Sequence, residues 1–277
     1  MLNKQIISDA QLNLFCDYVF KNFGIYIEDQ KRKIFEIKLV SLMQSENITD
    51  ASVYYHMIVA PAITQSQKNI KNAFIDTVTV HKTNFFRENR HFEYLKENIN
   101  RIIEKSGNLK TRGELRVWSA ACSTGEEPYS LSMLLKEILP YPMTFKILGT
   151  DISPKSIQTA MQGTMYKFTP EDHIPASFIS KYFTRMRDGT YSINEDVKKH
   201  VTFRLFNLME PFPFKTGFDI IFCRNVMIYF NRDVQETLVN KFYNNLEEGG
   251  LLFIGHSESL VQLKQAFKYV EPTVYIK

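Results

Sequence analysis

Residues 118-WSAACSTGEEPYS-130 follow directly on 114-ELRV-117 and set small side chains beside two adjacent glutamates and a proline. Small residues after a strand let a backbone approach a ligand, as a nucleotide-binding turn requires. A dinucleotide loop carries three glycines, however, and this stretch has one, Gly125. Glu126 and Glu127 stand immediately before the helix that Pro128 opens, where carboxylates would repel a pyrophosphate. A nucleoside without phosphate, or one bearing positive charge, is compatible with them. The sulfonium of S-adenosylmethionine meets both conditions, and its ribose offers a glutamate hydroxyls to accept from. For one of the pair the alternative is stabilisation of the helix dipole, worth about 0.3–1 kcal/mol.

Asp151 ends the run 144-TFKILGTD-151, about 25 residues beyond that loop. An exposed acidic side chain at a second strand end suits a ribose diol. In 151-DISP-154, Asp151 or Ser153 is equally placed to cap the next helix. Other chemistries find few residues. The six histidines show no HExxH spacing, and His256 in 255-GHSES-259 reads as structural. Cys16, Cys122 and Cys223 are far apart and form no CxxC, which argues against zinc and disulfides and fits a reducing cytoplasm. Cys122 reads as a small packed thiol.

The elements that must position these residues alternate. Strands are expected at 114–120, 144–151, 201–207, 218–225 and 251–257, with helices at 128–139, 153–162 and 232–246. Continuous apolar strands separated by helices imply a parallel sheet covered on both faces. The ligand then belongs beyond the carboxyl ends of the strands, at the switch in strand order. Residues 266–277 supply short closing strands. Residues 163–200 break the rhythm with Pro170, Pro175 and the hairpin signal 188-DGTYSIN-194, and read as an insertion. The first 75 or so residues are purely helical. Their helices are a first capped by Ser8 or Asp9 and stopped by Gly24, a second at 28–45 with Ile34, Ile37 and Leu42 as its apolar residues, a third from Asp50, and a fourth from about Ser66. A further helix runs from about Glu88 to Lys105, closed by Gly107.

At this point six segments carry a family resemblance. In order they are 83-TNFFR-87, 118-WSAACSTGEEPYS-130, 149-GTDIS-153, 207-NL-208, 222-FCRNVMIYF-230 and 249-GGLLFIGHSESL-260. They closely resemble the chemotaxis protein methyltransferases, which esterify glutamates on bacterial chemoreceptors with S-adenosylmethionine and release S-adenosylhomocysteine. The resemblance covers essentially the whole chain. It implies a Rossmann-like methyltransferase sheet over about 76–277, a small helical receptor-docking domain over 1–75 and an insertion subdomain at 163–200. It places cofactor contacts at Thr83, Arg87, Glu126, Asp151, Asn207, Leu208, Arg224 and Asn225. Arg87 and Tyr229 then lie nearest the transferred methyl group. Where the family often has Asn, this chain has His81, whose imidazole can also donate a hydrogen bond.

The chemistry implied needs little else. A glutamate is ionised at neutral pH, so its methylation requires no general base. Alignment remains, which Arg87 can provide by orienting the incoming carboxylate and Tyr229 by its hydroxyl. Read without the family, Arg87 is a surface cation and Tyr229 a core aromatic. Lys31, Arg32, Lys33 and Lys38 share one helix, as a solvated face or, as the family implies, a docking surface for acidic receptor helices. Net charge of +4 gives no basic stripe for nucleic acid. No run is long and apolar enough to span a bilayer, and MLNKQIISDAQLN lacks the features of a leader. The expected state is a cytoplasmic monomer. A methyltransferase for RNA or small molecules would keep the cofactor residues, but the fourth strand end reads 224-RNVMIYF-230 instead of (N/D)PP(Y/F). A degenerate, non-enzymatic signalling module would not retain Arg87, Asp151 and Asn225.

Overall fold

The computed structural model describes residues 7–277, so the expectation for a leader falls partly outside it. Four helices come first: α1 (Asp9–Phe23), α2 (Asp29–Ser45), α3 (Ala51–Val59) and α4 (Gln65–Val78). Ser8 caps α1 in a reciprocal box with Gln11, and Thr64 does the same for α4 with Gln67. Phe15, Val19, Leu39, Met43, Tyr54 and Phe74 form their shared core.

In α2 the buried ridge is Phe35, Leu39 and Met43, four residues apart. Leu42 packs beside it, but Ile34 and Ile37 are 58% and 60% exposed, contrary to the apolar face expected. A ridge at i, i+4, i+8 gave the helix a better seat against α1, α3 and α4 than the shorter isoleucine stripe.

The chain boundary expected near residue 75 falls inside α4. Next come α5 (Arg90–Lys105) and α6 (Gly107–Arg112). Gly107 therefore opens a helix instead of closing one. Ser106 ends α5 and accepts from the Leu109 N–H at 3.2 Å, capping α6, and left-handed Gly113 ends it.

The α/β part follows as β1 (Glu114–Ala120), α7 (Glu126–Ile138), β2 (Thr144–Asp151), α8 (Pro154–Gln162), α9 (Ala176–Tyr182), β3 (Phe183–Arg185), β4 (Tyr191–Ile193), α10 (Glu195–Lys198), β5 (Val201–Leu205), β6 (Phe218–Cys223), α11 (Arg232–Asn245), β7 (Leu246–Ile254), β8 (Lys268–Glu271) and β9 (Val274–Ile276). The seven-stranded sheet has the order β5-β2-β1-β6-β7-β9-β8, parallel through β7 and antiparallel for the last two strands. β3 and β4 form a separate hairpin turned by Asp188–Gly189. β7 starts five residues earlier than expected, where the register shift against β6 accommodates its Glu-Glu-Gly-Gly stretch.

Alternate side chains of β1 feed separate cores on the two faces of the sheet. Leu115 and Val117 pack on one side, Trp118 and Ala120 on the other. From β1 the chain steps outward to β2 and β5, then returns to β6 on the opposite side. That reversal opens a crevice beyond the strand ends.

The helical unit closes over this crevice. Ile25 bridges to Phe230, the Tyr26 N–H donates to the Tyr229 carbonyl at 2.9 Å, and Asn207 Nδ2 donates to the Asn22 carbonyl at 2.8 Å. Gly24 permits the approach, since a Cβ there would lie 2.6 Å from the Met209 sulfur.

Candidate active site

The loop after β1 answers why it is built of small residues. Ala121, Ser123 and Gly125 all take left-handed backbone conformations, with φ of 63°, 49° and 98°. A Cβ on Gly125 would meet the Ala160 Cβ at 3.0 Å. Asp151 holds the loop in this shape. Its Oδ2 accepts from the Ser123 N–H at 2.8 Å and its Oδ1 from the Ser153 N–H at 2.9 Å.

Ser153, not Asp151, caps α8, accepting from the Ser156 N–H at 3.0 Å. Asp151 is also buried instead of exposed. Burial raises its carboxyl pKa, opposed by the Ser153 and Ser123 N–H bonds. Each oxygen keeps a lone pair for a further donor.

The cleft, about 1010 Å³ including its open mouth, brings together His81, Thr83, Arg87, Asp151, Asn207, Leu208, Arg224, Asn225 and Tyr229. Arg87 projects from a bent segment, since its neighbours Phe86 and Glu88 both have positive φ. Phe86 is pinned by its N–H donating to Ser130 Oγ at 3.0 Å, and Arg87 Nη1 donates to the Lys82 carbonyl at 2.8 Å. Both ring nitrogens of His81 lie within hydrogen-bond distance of hydroxyls, those of Thr79 (2.8 Å) and Ser156 (3.0 Å). His81 thus lines the cleft while tied to α8. The Leu208 carbonyl accepts from Lys241 Nζ at 3.2 Å, along with the next two carbonyls.

Of the expected cofactor residues, Glu126 does not line the cleft; Glu127 does. The Glu126 carboxylate turns to the Thr124 hydroxyl at 2.7 Å. Glu127 accepts from the Ser119 hydroxyl at 2.6 Å and pairs with Arg224 at 3.1 Å. The two glutamates therefore present no bare pair of charges to a ligand, and contrary to expectation they do not repel a pyrophosphate. A different feature disfavours one. Pro128 has no N–H in the first turn of α7, where a phosphate cradle needs donors.

Arg224 is also placed differently from expectation. Its guanidinium is buried and committed to Glu88 at 2.9 Å, to Glu127, and to the Arg87 carbonyl. It acts as a tie among three segments around the cleft. Glu88, at the expected helix start, also accepts from Asn225 Nδ2 at 3.0 Å and the His256 N–H at 3.1 Å. Burial acts to raise its carboxyl, but Arg224, Asn225 and His256 outweigh that and hold it at about 2.

Glu88, His91 and His256 bring possible metal-ligand atoms within 4.8 Å of one another. Both Glu88 oxygens are already engaged by donors, and the Arg224 cation sits beside them. Burial and then Arg224 push His91 down to about 3, so its imidazole is neutral. Phe23 and Ile25 also line the cleft, although nothing local in the sequence marks them as near the strand ends.

Glu126 yields a stability prediction. Burial raises its carboxyl from 4.5 to about 7, against the pull of the Thr124 hydroxyl. The folded state therefore keeps a proton that the unfolded chain releases above pH 4.5. Stability should be fullest below that pH and fall until about pH 7 is passed. Glu126→Gln is expected to remove this loss and gain roughly 1–2 kcal/mol at pH 8, with no gain at pH 4. Urea unfolding at the two pH values checks it, and equal effects at both would refute the assignment.

The residues present suit an adenosine-sulfonium ligand: a tight backbone turn, a buried strand-end carboxylate and a cleft lined by both polar and apolar side chains. The profile described as "CheR methyltransferase, SAM binding domain" matches residues 81–276. The chain is 37% identical over 285 residues to a chemotaxis protein methyltransferase of Borreliella burgdorferi, covering 100% of this chain and 96% of that protein. It is 34% identical to the protein of that name from Salmonella typhimurium, covering 99% and 92%. For the Escherichia coli protein the identity is 32%, covering 99% and 93%.

Proposed function

The chain belongs to the chemotaxis protein methyltransferase family, and we infer that its residues divide around one cleft into cofactor holders, acceptor-orienting groups and a docking face. It transfers methyl groups from S-adenosylmethionine to glutamate side chains of chemoreceptor cytoplasmic domains, forming methyl esters in chemotaxis adaptation.

The observation that carries the division of labour is the convergence of Arg87, Asp151, Asn207 and the Asn225–Tyr229 turn on one cleft from four separate segments. Bound S-adenosylmethionine supplies a methyl group on a positively charged sulfur, and an ionised glutamate accepts it without a general base. Asp151 receives the ribose hydroxyls. Asn207, Leu208, Thr83 and Asn225 line the nucleoside and amino-acid parts, with the ring of His81 as a wall. Arg87 orients the incoming carboxylate, and the Tyr229 hydroxyl holds it. A tight ground-state grip by Arg87 would slow transfer, so its task is positional.

Receptor docking falls to α2. Arg32 bonds Asn13 on α1, and Lys38 donates to the Thr77 carbonyl at 3.2 Å, so those two cations also brace the helical unit. Among the described residues Lys31 pairs with Glu28 and Lys33 with Glu36, and the two lysine side chains remain 61% and 75% exposed. With Ile34 and Ile37 beside them, they form a face for acidic, amphipathic receptor helices. No described helix is long and apolar enough to cross a membrane. Receptor cytoplasmic domains as the substrate put the enzyme's work in the cytoplasm.

The test is transfer of radiolabelled methyl from S-adenosylmethionine to receptor cytoplasmic domains; label that resists mild base is not a glutamate ester and would sink this reading. Reversing Lys31 and Lys33 to Glu should raise the receptor KM about three- to tenfold and flatten its salt response. S-adenosylhomocysteine affinity should change little, although Phe23 and Ile25 of the helical unit line the cleft, because α2 itself does not. A receptor KM indifferent to both charge and salt would move the docking face elsewhere.

A further inference from the structure

We propose that Glu258 is a positioning residue for methyl transfer, its buried carboxylate setting the turn that presents Asn225 and Tyr229 to the cleft. The proposal rests on the acceptor-side role given to Tyr229 above.

β6 ends at Cys223, and the chain then leaves the sheet with no neighbouring strand to satisfy its backbone. Asn225 takes φ of 58°, Val226 an irregular conformation, and Met227–Tyr229 a single 3-10 turn. Three N–H groups of this turn instead meet Glu258, some 30 residues away. Asn225 N lies 3.0 Å from Oε2, while Met227 N and Ile228 N lie 2.7 and 3.3 Å from Oε1. The Gly255 N–H adds a fourth bond, to Oε2 at 2.5 Å. Gln235 Nε2 secures the carbonyl side, donating to Met227 O at 2.8 Å and Phe230 O at 3.0 Å. Tyr229 is thus carried on a turn whose donors and acceptors are held from opposite directions.

The side-chain chemistry at 258 is specific. Two donors converge on each oxygen, so the group must accept on both sides, which only a carboxylate does. Glutamine would aim an amide N–H₂ at two backbone N–H groups. The segment carrying Glu258 also packs very close. A Cβ on Gly255 would sit 2.5 Å from Asn225 Nδ2 and 2.7 Å from its backbone nitrogen. Displacement of Glu258 is therefore transmitted to Asn225 with little slack. Burial raises its carboxyl pKa, opposed first by the Gly255 N–H and then by the other three. Its bonds to N–H dipoles take the place of a counter-charge.

The experiment compares Glu258→Gln and Glu258→Asp with wild type, alone and in a Tyr229→Phe background. It reads kcat, receptor KM, S-adenosylhomocysteine affinity and melting temperature. If the paired acceptors matter, Gln, though nearly isosteric, should lower kcat at least tenfold, and Asp, though shorter, should retain more activity than Gln. In the Tyr229→Phe background the further loss from Gln should shrink to less than threefold. Wild-type kcat in Glu258→Gln, Gln outperforming Asp, or an undiminished loss in the Tyr229→Phe background would each overturn the proposal. Should the Gln variant not fold, the Asp variant decides it: a folded Asp protein must show a kcat loss that shrinks in the Tyr229→Phe background. If Tyr229→Phe alone leaves kcat unchanged, the role given to Tyr229 fails separately. The order of Asp and Gln in kcat then judges Glu258, and an Asp variant no more active than the Gln variant overturns the proposal.

Discussion

Glu88→Gln is expected to abolish most activity and to cost about 3 kcal/mol of stability at neutral pH. Removing one partner of a buried ion pair costs about 3–5 kcal/mol, because the other charge is left without compensation. The lower end applies here, since Glu127 still faces Arg224. The functional loss should exceed the loss of stability. Glu88 receives Asn225 Nδ2 and the His256 N–H as well as the guanidinium, so the Arg224–Asn225 strand end that lines the cleft and the His256 segment beside it shift together. The pH dependence follows from a carboxyl held down at about 2. Its contribution is complete above the ordinary carboxylate value and is lost as pH falls toward 2. The deficit of the variant, measured by urea unfolding, should therefore be full at pH 7 and smaller at pH 3.5. A deficit independent of pH would show that Glu88 acts by packing and not by charge.

Asp151→Ala should reduce S-adenosylhomocysteine affinity about 10- to 150-fold, the range for one lost charge-assisted interaction of about 1.5–3 kcal/mol. A clean binding effect is not expected. Because Asp151 is buried and accepts the Ser123 and Ser153 N–H groups, its loss also frees the strained turn after β1. An additional stability loss of about 1–3 kcal/mol belongs to those two unsatisfied donors. Calorimetry at a temperature where the variant is folded separates the two effects. Normal affinity in the folded fraction would leave Asp151 as a loop tie alone.

Much of this protein is determined by local sequence. Ser8 with Gln11, Asp50 before α3, Pro154 opening α8 and Asp188–Gly189 in the hairpin act within a few residues. Apolar runs of strand length specify β1, β2 and β6 because a strand buried on both faces needs no alternation. The small residues after β1 mark a close backbone turn, although the positive φ of Ala121 and Ser123 has no local signal. The place of Asp151 at a strand end follows from the βα rhythm alone.

What remained belongs to contacts made at long range. Which of two adjacent glutamates enters the cleft depends on the rotation of α7 in its first turn, set by Arg224 arriving from β6 and by Ser119. Glu88 and Glu258 look like surface acids in sequence, yet Glu88 is half-buried and Glu258 buried because partners 136 and 33 residues away supply their donors. The apolar face of α2 was chosen by α1, α3 and α4, which seat the Phe35 ridge and leave Ile34 and Ile37 in water. The closure of the cleft by Phe23 and Ile25 has no local signal either. It arises when left-handed Gly24 lets the chain cross against Met209, bringing a helical segment to strand ends 180 residues further along the chain.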